Sequence, residues 1–408
     1  MLNLLQGIRV VDLTTVVLGP YATQTLGDLG AEVIKVEPLS GDVFRAVRPG
    51  RSAGMGAAFM NCNRNKRALA LDLSAAEGQA ALHRLVAHAD VVVHNMRPRS
   101  AAKLGIGFEQ LVAVNPRLLY CYACGFGQEG RLADEPAYDD IIQAASGLAW
   151  LNAGAESEPR FLKTIVADKV GGLHLAIAVL AALASTERKE GKPLCIEVPM
   201  FESMVSFLMV DQMGGYSFDP PMGGTGYDRL QSPFRKPFRT ADGHVSIVPY
   251  TAAHWAQFLR LIGRDDMAED PRVTNAVLRS RSADTLYAII EEAAPLRTTD
   301  EWLAALSERG VPCAPANRIE DLFENGHLAD VGMFVPEAHP EEGALLRTRS
   351  PFRVAGAEEQ PNLPAPQLGA NSRALLLEAG LSEAEVEALV RSGAVFDSGD
   401  AEDAAAVG

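Results

Sequence analysis

Cysteine and histidine are scarce in this 408-residue chain, with five of the first and eight of the second. The cysteines, Cys62, Cys121, Cys124, Cys195 and Cys313, are odd in number and scattered among apolar neighbours. That pattern excludes a disulfide framework and fits reduced intracellular thiols. Cys121 and Cys124 make a lone C-x-x-C without a second ligand pair, and no H-E-x-x-H occurs, so no metal site is expected. Basic charge is short as well: 37 Lys and Arg face 52 Asp and Glu, a net charge of -15. Phosphate contacts need a basic face, which argues against a general nucleic-acid binder. No apolar run reaches membrane-spanning length; the longest, Leu173 to Ala184, is interrupted by His174, so no membrane partner is expected. The opening "MLNLLQGIRVVDL" lacks a basic region followed by an apolar core and a cleavage site, which predicts no secretory signal and a cytoplasmic protein.

What is present is core-forming material, 48% hydrophobic against 22% charged, enough for two domains or one large unit with an insertion. Short β-type runs are predicted at Arg9 to Leu13, Glu32 to Val36, Ala68 to Leu71, Val91 to Val93, Leu118 to Tyr122, Thr164 to Ala167 and Cys195 to Val198. Helical stretches alternate with them, one opened by an expected capping box from Ser74 to Glu77. Alternation of this kind predicts an α/β fold, a Rossmann-like large domain with a parallel sheet. The large domain is assigned to 1–200, completed by 367–408. A Gly- and Pro-rich linker at 201–235 and a return linker at 331–366 flank a smaller α+β domain at 236–330. Within that domain, helices are expected at Trp255 to Leu261, Ala283 to Ala293 and Thr299 to Arg309. A last helix is capped by Ser382 and Glu385 and stopped by Gly393, before an acidic, Ala-rich end expected to fray.

Two motif spellings fail on context. Gly125, Gly127 and Gly130 spell G-x-G-x-x-G, but the polar, Pro-containing "RLADEPAYDD" follows where a dinucleotide site needs a helix. Gly50, Ser52 and Gly54 spell G-x-S-x-G, but Pro49 stands where a nucleophile elbow needs a strand. The charge distribution is more specific. Arg45, Arg48, Arg51, Arg64, Lys66 and Arg67 fall between Val43 and Leu71 without one acidic residue, and Asn95, Arg97, Arg99 and Lys103 follow the strand at Val91. Two basic clusters at the edges of one sheet suit a ligand with several phosphates, such as coenzyme A or an ADP-like group; a solvated surface is the plainer alternative.

Asp168 stands where a β-branched run stops and an apolar helix with Gly171 and Gly172 starts. It is either an N-cap or a nucleophile exposed at a sheet rim, with the glycines letting a ligand approach the backbone.

The ordered blocks "VVDLTTVVLGPYATQTLGDLGAEVIKVEPLSGDVFR", "NRNKRALALDL", "HNMRPRSAAKLGI", "YDDIIQAASGL" and "DKVGGLHLAIAVLAAL" together resemble the class III CoA-transferase family (CaiB/BaiF type) over nearly the whole chain. The resemblance implies an interlocked homodimer that exchanges CoA between an acyl-CoA and a small, possibly dicarboxylic, acid. No tightly bound cofactor is implied, CoA and acyl-CoA being substrates. It makes Asp168 the nucleophile, with Tyr138 and Asp139 in the catalytic block. It assigns Val16, Val17, Arg45, Lys66, Asn95, Met96, Arg97 and Lys103 to CoA, and makes Gly223, Gly224 and Gly226 candidate oxyanion donors. Family members that racemise 2-methylacyl-CoA carry His where this chain has Tyr138, which favours the transferase branch over that alternative; a non-catalytic nucleotide-binding protein is a third reading. Tyr138 could also be a core aromatic. Arg229, Arg235 and Lys236 could hold a dicarboxylate or be simply solvated.

Overall fold

A computed structural model of the chain describes residues 1–153 and 158–398. The acidic end at 399–408, expected to fray, lies outside them. The described chain divides into two compact units. One comprises Met1–Asn152, Pro159–Phe207 and the residues from Gly332 onward; the other is built on Leu208–Val331.

The large unit is built on a seven-stranded sheet. Six strands run parallel: β1 (Arg9–Leu13), β2 (Glu32–Glu37), β3 (Lys66–Leu71), β4 (Val91–His94), β5 (Leu119–Cys124) and β6 (Leu194–Pro199). Their spatial order is β3-β2-β1-β4-β5-β6, and a two-residue strand, Val395–Phe396, adds antiparallel to β3. The strands are Val-, Ile- and Leu-rich because helices cover the sheet; Val10, Val11, Ile34, Val92 and Leu69 have no exposed surface. β1 is central, pairing with β2 on one side and β4 on the other. The chain therefore reverses its direction of winding between β1 and β4. In open α/β sheets this switch point, at the carboxyl ends of the strands, is where ligands bind.

The helices that matter for the site are α1 (Leu18–Asp28), α2 (Ala76–Val86), α3 (Asp139–Ala145) and α4 (Val166–Ala184). Four sequence expectations are corrected here. The strand at Thr164 to Ala167 does not exist: only Thr164, Ile165 and Val166 favour it, and α4 is already under way at Val166. Asp168 is accordingly in the first turn of α4, with Ile165 at the N-cap position, so it is not the cap. Helix α2 is not opened by a capping box, because Asp72 Oδ1 captures both the amide and the hydroxyl of Ser74 and the helix starts after Ala75. Finally, α4 extends the apolar run to 19 residues, long and apolar enough to cross a membrane, yet half of it is buried and it packs on α1, β5 and β6 as a core helix.

The other readings hold more closely. Gly125 and Gly127 lead from β5 into turns, with no helix before α3. Gly50 and Gly54 lie in a loop, in which the Ser52 hydroxyl bonds Glu342. Cys121 and Cys124 are buried, unpaired thiols that burial pushes up to about 12. The C-terminal helix Glu383–Ser392 has the expected Ser382 and Glu385 box and ends on left-handed Gly393. The passage assigned as return linker contains a hairpin, Phe334–His339 with Gly343–Thr348, and groups with the large unit.

The small unit holds a three-stranded antiparallel sheet, β7 (Phe238–Arg239), β8 (His244–Ile247) and β9 (Cys313–Pro315). Helices Ala252–Leu261, Ala283–Ala293 and Thr299–Ser307 bury Trp255, Phe258, Ile290 and Trp302 against it. The passage expected as the first linker opens with helix Met200–Gln212, and its residues from Leu208 group with this unit.

Candidate active site

At the switch point, the turn from β1 to α1 is held in a conformation its sequence does not favour. Val16 has φ of 70°, a left-handed backbone that costs a β-branched residue about 1–2 kcal/mol. Three neighbours hold it. The Asn95 amide brackets Thr15, accepting from its N–H at 3.0 Å and donating to its carbonyl at 2.9 Å. Asp42 accepts from the Val16 amide at 3.1 Å, and Lys35 Nζ donates to the Thr14 carbonyl at 2.9 Å. Strain maintained by so many partners marks a functional backbone.

Beneath this turn runs a chain of buried charge. Lys35 pairs with Asp42 at 3.1 Å and Lys66 with Asp12 at 3.0 Å, all four side chains closed to solvent. Burial would raise the Asp12 carboxyl, but Lys66 and Lys35 outweigh it and hold it at about 2. Across the switch point, His94 ends β4. Its Nδ1 accepts from the Met96 amide at 3.2 Å, so its Nε2 carries the proton to the Tyr120 hydroxyl. Burial lowers it to about 4, keeping the ring neutral. His94 gave no signal in the sequence beyond its place at a strand end, and it turns the chain toward Asn95.

Asp168 reaches this region through helix packing. A Cβ on Gly172 would stand 2.6 Å from the Leu18 carbonyl, and one on Gly171 would stand 2.7 Å from the Leu18 side chain. The two glycines thus admit α1, not a ligand, which corrects the expectation for them. Asp168 precedes Gly172 by four residues and shares its stripe of α4, so it lies one turn from that contact. The carboxylate that caps α4 is Asp139. Its Oδ1 accepts from the Ala167 and Asp168 amides at 2.7 and 3.1 Å, while Oδ2 accepts from Gln143 Nε2 at 2.6 Å. Gln143 also accepts from the Leu162 amide at 2.9 Å, tying the loop before α4 to α3. Burial, and then the negative Asp139 beside it, raise the Asp168 carboxyl to about 7.

The sequence profile of CoA-transferase family III matches residues 5–372. The chain belongs to that family. It is 29% identical to the succinyl-CoA:glutarate CoA-transferase of Mus musculus over 396 residues, covering 96% of this chain and 90% of the relative. It is 33% identical to the succinyl-CoA:mesaconate CoA-transferase of Haloarcula marismortui over 389 residues, 92% of this chain and 96% of the relative. A solved CaiB/BaiF family protein from Brucella suis superposes with a TM-score of 0.78 at 31% identity, covering 92% of this chain and 99% of that one. The protein is a CoA-transferase.

Within this family III transferase the residues assigned to CoA fall into two groups. Val16, Val17, Asn95, Met96 and Arg97 come together at the ends of β1 and β4. Arg97 and Lys103 are exposed, and no carboxylate among the described residues pairs with either. Arg45 and Lys66 do not share that availability, because both are buried and ion-paired. Arg45 is spent on Glu37 through two bonds of 2.8 and 2.7 Å and on the ring of Phe59, 3.8 Å away. Lys66 Nζ is sealed among Asp12, Thr23, Asn63 and the Pro20 carbonyl. Tyr138 is 71% exposed, so it is no core aromatic, and its ring is free above the N-terminus of α3. Gly223, Gly224 and Gly226 belong to the small unit, where Gly224 and Gly226 fold back on Gly215 and Gln212.

Proposed function

We propose that Asp168 is the nucleophile through which this transferase moves CoA from an acyl-CoA to a free carboxylic acid. The observation that carries the reading is a buried carboxylate, ionising near neutrality, one turn from where α4 packs on Leu18, the first residue of the helix that follows the strained Val16 turn. The ionised oxygen attacks the thioester carbonyl, the C–S bond breaks, and CoA leaves as thiolate while the acyl group stays on Asp168 as a mixed anhydride. The thiolate attacks the aspartyl carbonyl, releasing the donor acid and leaving an aspartyl-CoA thioester. The acceptor carboxylate attacks that thioester in turn, and the returning thiolate takes the acceptor's acyl group and frees Asp168. No bond energy is lost between thioesters, so neither ATP nor a metal is required. Tyr138 and Asp139 complete the proposed catalytic block. Tyr138 is offered to the acids by its exposure, and Asp139 fixes the start of α4.

The relatives named for succinyl-CoA with glutarate or mesaconate support a dicarboxylate as one of the acids. Five free cysteines support a reducing, cytoplasmic setting. A homodimer is part of the same reading: Ile141, Trp150, Leu151, Leu173 and Ile177 leave apolar surface of the large unit exposed, and sedimentation of the active protein as a dimer checks it. Acyl-CoA-dependent trapping by hydroxylamine, followed by peptide mass spectrometry, is expected to modify Asp168. An enzyme that turns over with Asp168 unmodified would sink the proposal, and α-proton exchange without an acceptor acid would point to a racemase.

Two further outcomes are expected. Because the ionised form attacks, kcat/KM should fall as pH drops through about 7. Asp139→Asn removes the second cause of the raised value, so the midpoint should move to lower pH while burial keeps it above an ordinary carboxylate. A pH–rate profile on both proteins checks the direction. Neutralising Arg97 or Lys103 to Gln should raise the KM for the acyl-CoA donor by about three- to tenfold, less at high salt, with kcat nearly unchanged, because exposed phosphate contacts are screened. Initial rates at two ionic strengths test this.

A further inference from the structure

The small unit contains two cavities of about 260 and 330 Å³ that share Arg229 and Tyr287 in their walls. Arg229, Arg235, Lys236 and Arg279 line them, and no carboxylate does, in a chain whose net charge is -15. A local excess of one sign against the overall balance calls for a counter-anion. Lys236 has one in Glu291, at 2.9 Å, outside the lining. Arg279 spends one N–H on the Val273 carbonyl at 2.6 Å, and Arg235 is exposed. No described carboxylate pairs with Arg229, Arg235 or Arg279.

Arg229 is the organised member. Its guanidinium lies 5.8 and 5.7 Å from the ring centres of Tyr227 and Tyr250. It donates to the Tyr227 hydroxyl at 3.1 Å, and Tyr287 stands in the same wall. Neutral phenols orient a guanidinium without cancelling its charge. One of its five N–H groups is thereby used, and the remainder can present the parallel pair that matches a carboxylate. The larger cavity is walled by aromatic surface, with Trp255 and Tyr287 buried behind and Tyr250 at the rim. That lining takes a flat body better than a hydrated phosphate.

We infer that the small unit binds a small, flat organic carboxylate, with its acid group on Arg229 and its body against Tyr250 and Tyr287. The inference rests on no residue of the large unit and goes beyond the proposed transfer chemistry.

The test titrates sodium benzoate into the full-length protein saturated with CoA, read by calorimetry and tryptophan emission. One site per chain is expected, weakened about tenfold by Arg229→Gln because the fork and its charge are both lost. Tyr250→Ala should weaken it as well. If Arg229→Gln loses its native circular dichroism, Arg235→Gln, whose side chain is exposed, carries the test with an expected loss of about threefold. Asp168→Asn should bind benzoate as the parent does, so the outcome is independent of the nucleophile; weaker binding in that variant would put benzoate at the switch point and overturn the inference. Absence of binding, or equal binding by the Arg229 and Arg235 variants, would overturn it too. Competition by inorganic phosphate at the benzoate concentration would overturn the choice of a flat carboxylate.

Discussion

Asp168→Asn is expected to lower kcat for CoA transfer by on the order of a thousandfold or more, with CoA affinity changed little. An amide cannot form the anhydride, and the neighbouring carboxylate, Asp139, has both oxygens occupied by the Ala167, Asp168 and Gln143 N–H groups. Steady-state kinetics with a separate measurement of CoA binding check the claim, and a variant retaining more than about a tenth of the parent kcat would end the nucleophile reading. The same replacement should make the protein more stable at pH 8. The folded protein holds the Asp168 proton up to about 7, against 3.8 for the ordinary carboxyl, so the stability linked to that proton is complete below the lower value and is lost as pH rises to the upper one. Removing the charge should therefore gain on the order of 2–4 kcal/mol above pH 7 and nothing near pH 4. Urea denaturation at both pH values gives the sign. Loss of activity with a gain in stability is what a desolvated functional group produces, whereas replacing a mere helix cap would lose stability and leave the turnover of the folded protein intact.

Much of this arrangement was legible in the residues. Val-, Ile- and Leu-rich runs bounded by turns located β1, β2, β4 and β6 to within a residue or two, most plainly for β1 and β4, where strands buried on both faces read as near-continuous apolar runs. Helices Ala283–Ala293 and Glu383–Ser392 followed from apolar spacing and caps. The strand order was not legible. It depends on pairings such as Val10 with Val91, far apart in the chain, and with it the switch point that joins Thr15 to Asn95 was hidden. Local signals also misled where a distant partner intervened. Asp168 reads as a cap until the helix is seen to start two residues before it, at Val166, with Asp139, 29 residues earlier, bonding the Ala167 and Asp168 amides of that first turn. Gly171 and Gly172 read as room for a ligand until Leu18 fills it. Most instructive is the basic run from Arg45 to Arg67. Sequence shows charge but not which acids face it, and Glu37, Asp28, Asp12 and Glu32 neutralise Arg45, Arg64, Lys66 and Arg67 respectively.

Lys66→Met separates a ligand-binding lysine from a structural one. Lys66 has no exposed side-chain surface, burial lowers it to about 8, and Asp12 keeps it charged. Its three N–H groups are shared among Asp12 at 3.0 Å, Thr23 at 2.8 Å, Asn63 at 2.9 Å and the Pro20 carbonyl at 3.0 Å. Methionine fills nearly the same volume but leaves Asp12 buried without its nearest cation. Breaking such a pair from one side should cost about 3–5 kcal/mol, readable as a shift in the urea midpoint. Neutralising the orphan should recover much of it. The Asp12→Asn, Lys66→Met double variant keeps an acceptor for Thr14, whose amide and hydroxyl Asp12 holds at 2.9 and 2.5 Å, and is expected to regain at least about half of the loss. Under conditions where the single variant remains folded, its KM for the acyl-CoA donor should stay within about twofold of the parent, since no phosphate reaches a sealed ammonium. A Lys66→Met protein as stable as the parent, with CoA affinity reduced as far as by Arg97→Gln, would return this lysine to the binding surface and remove the buried chain from beneath Val16.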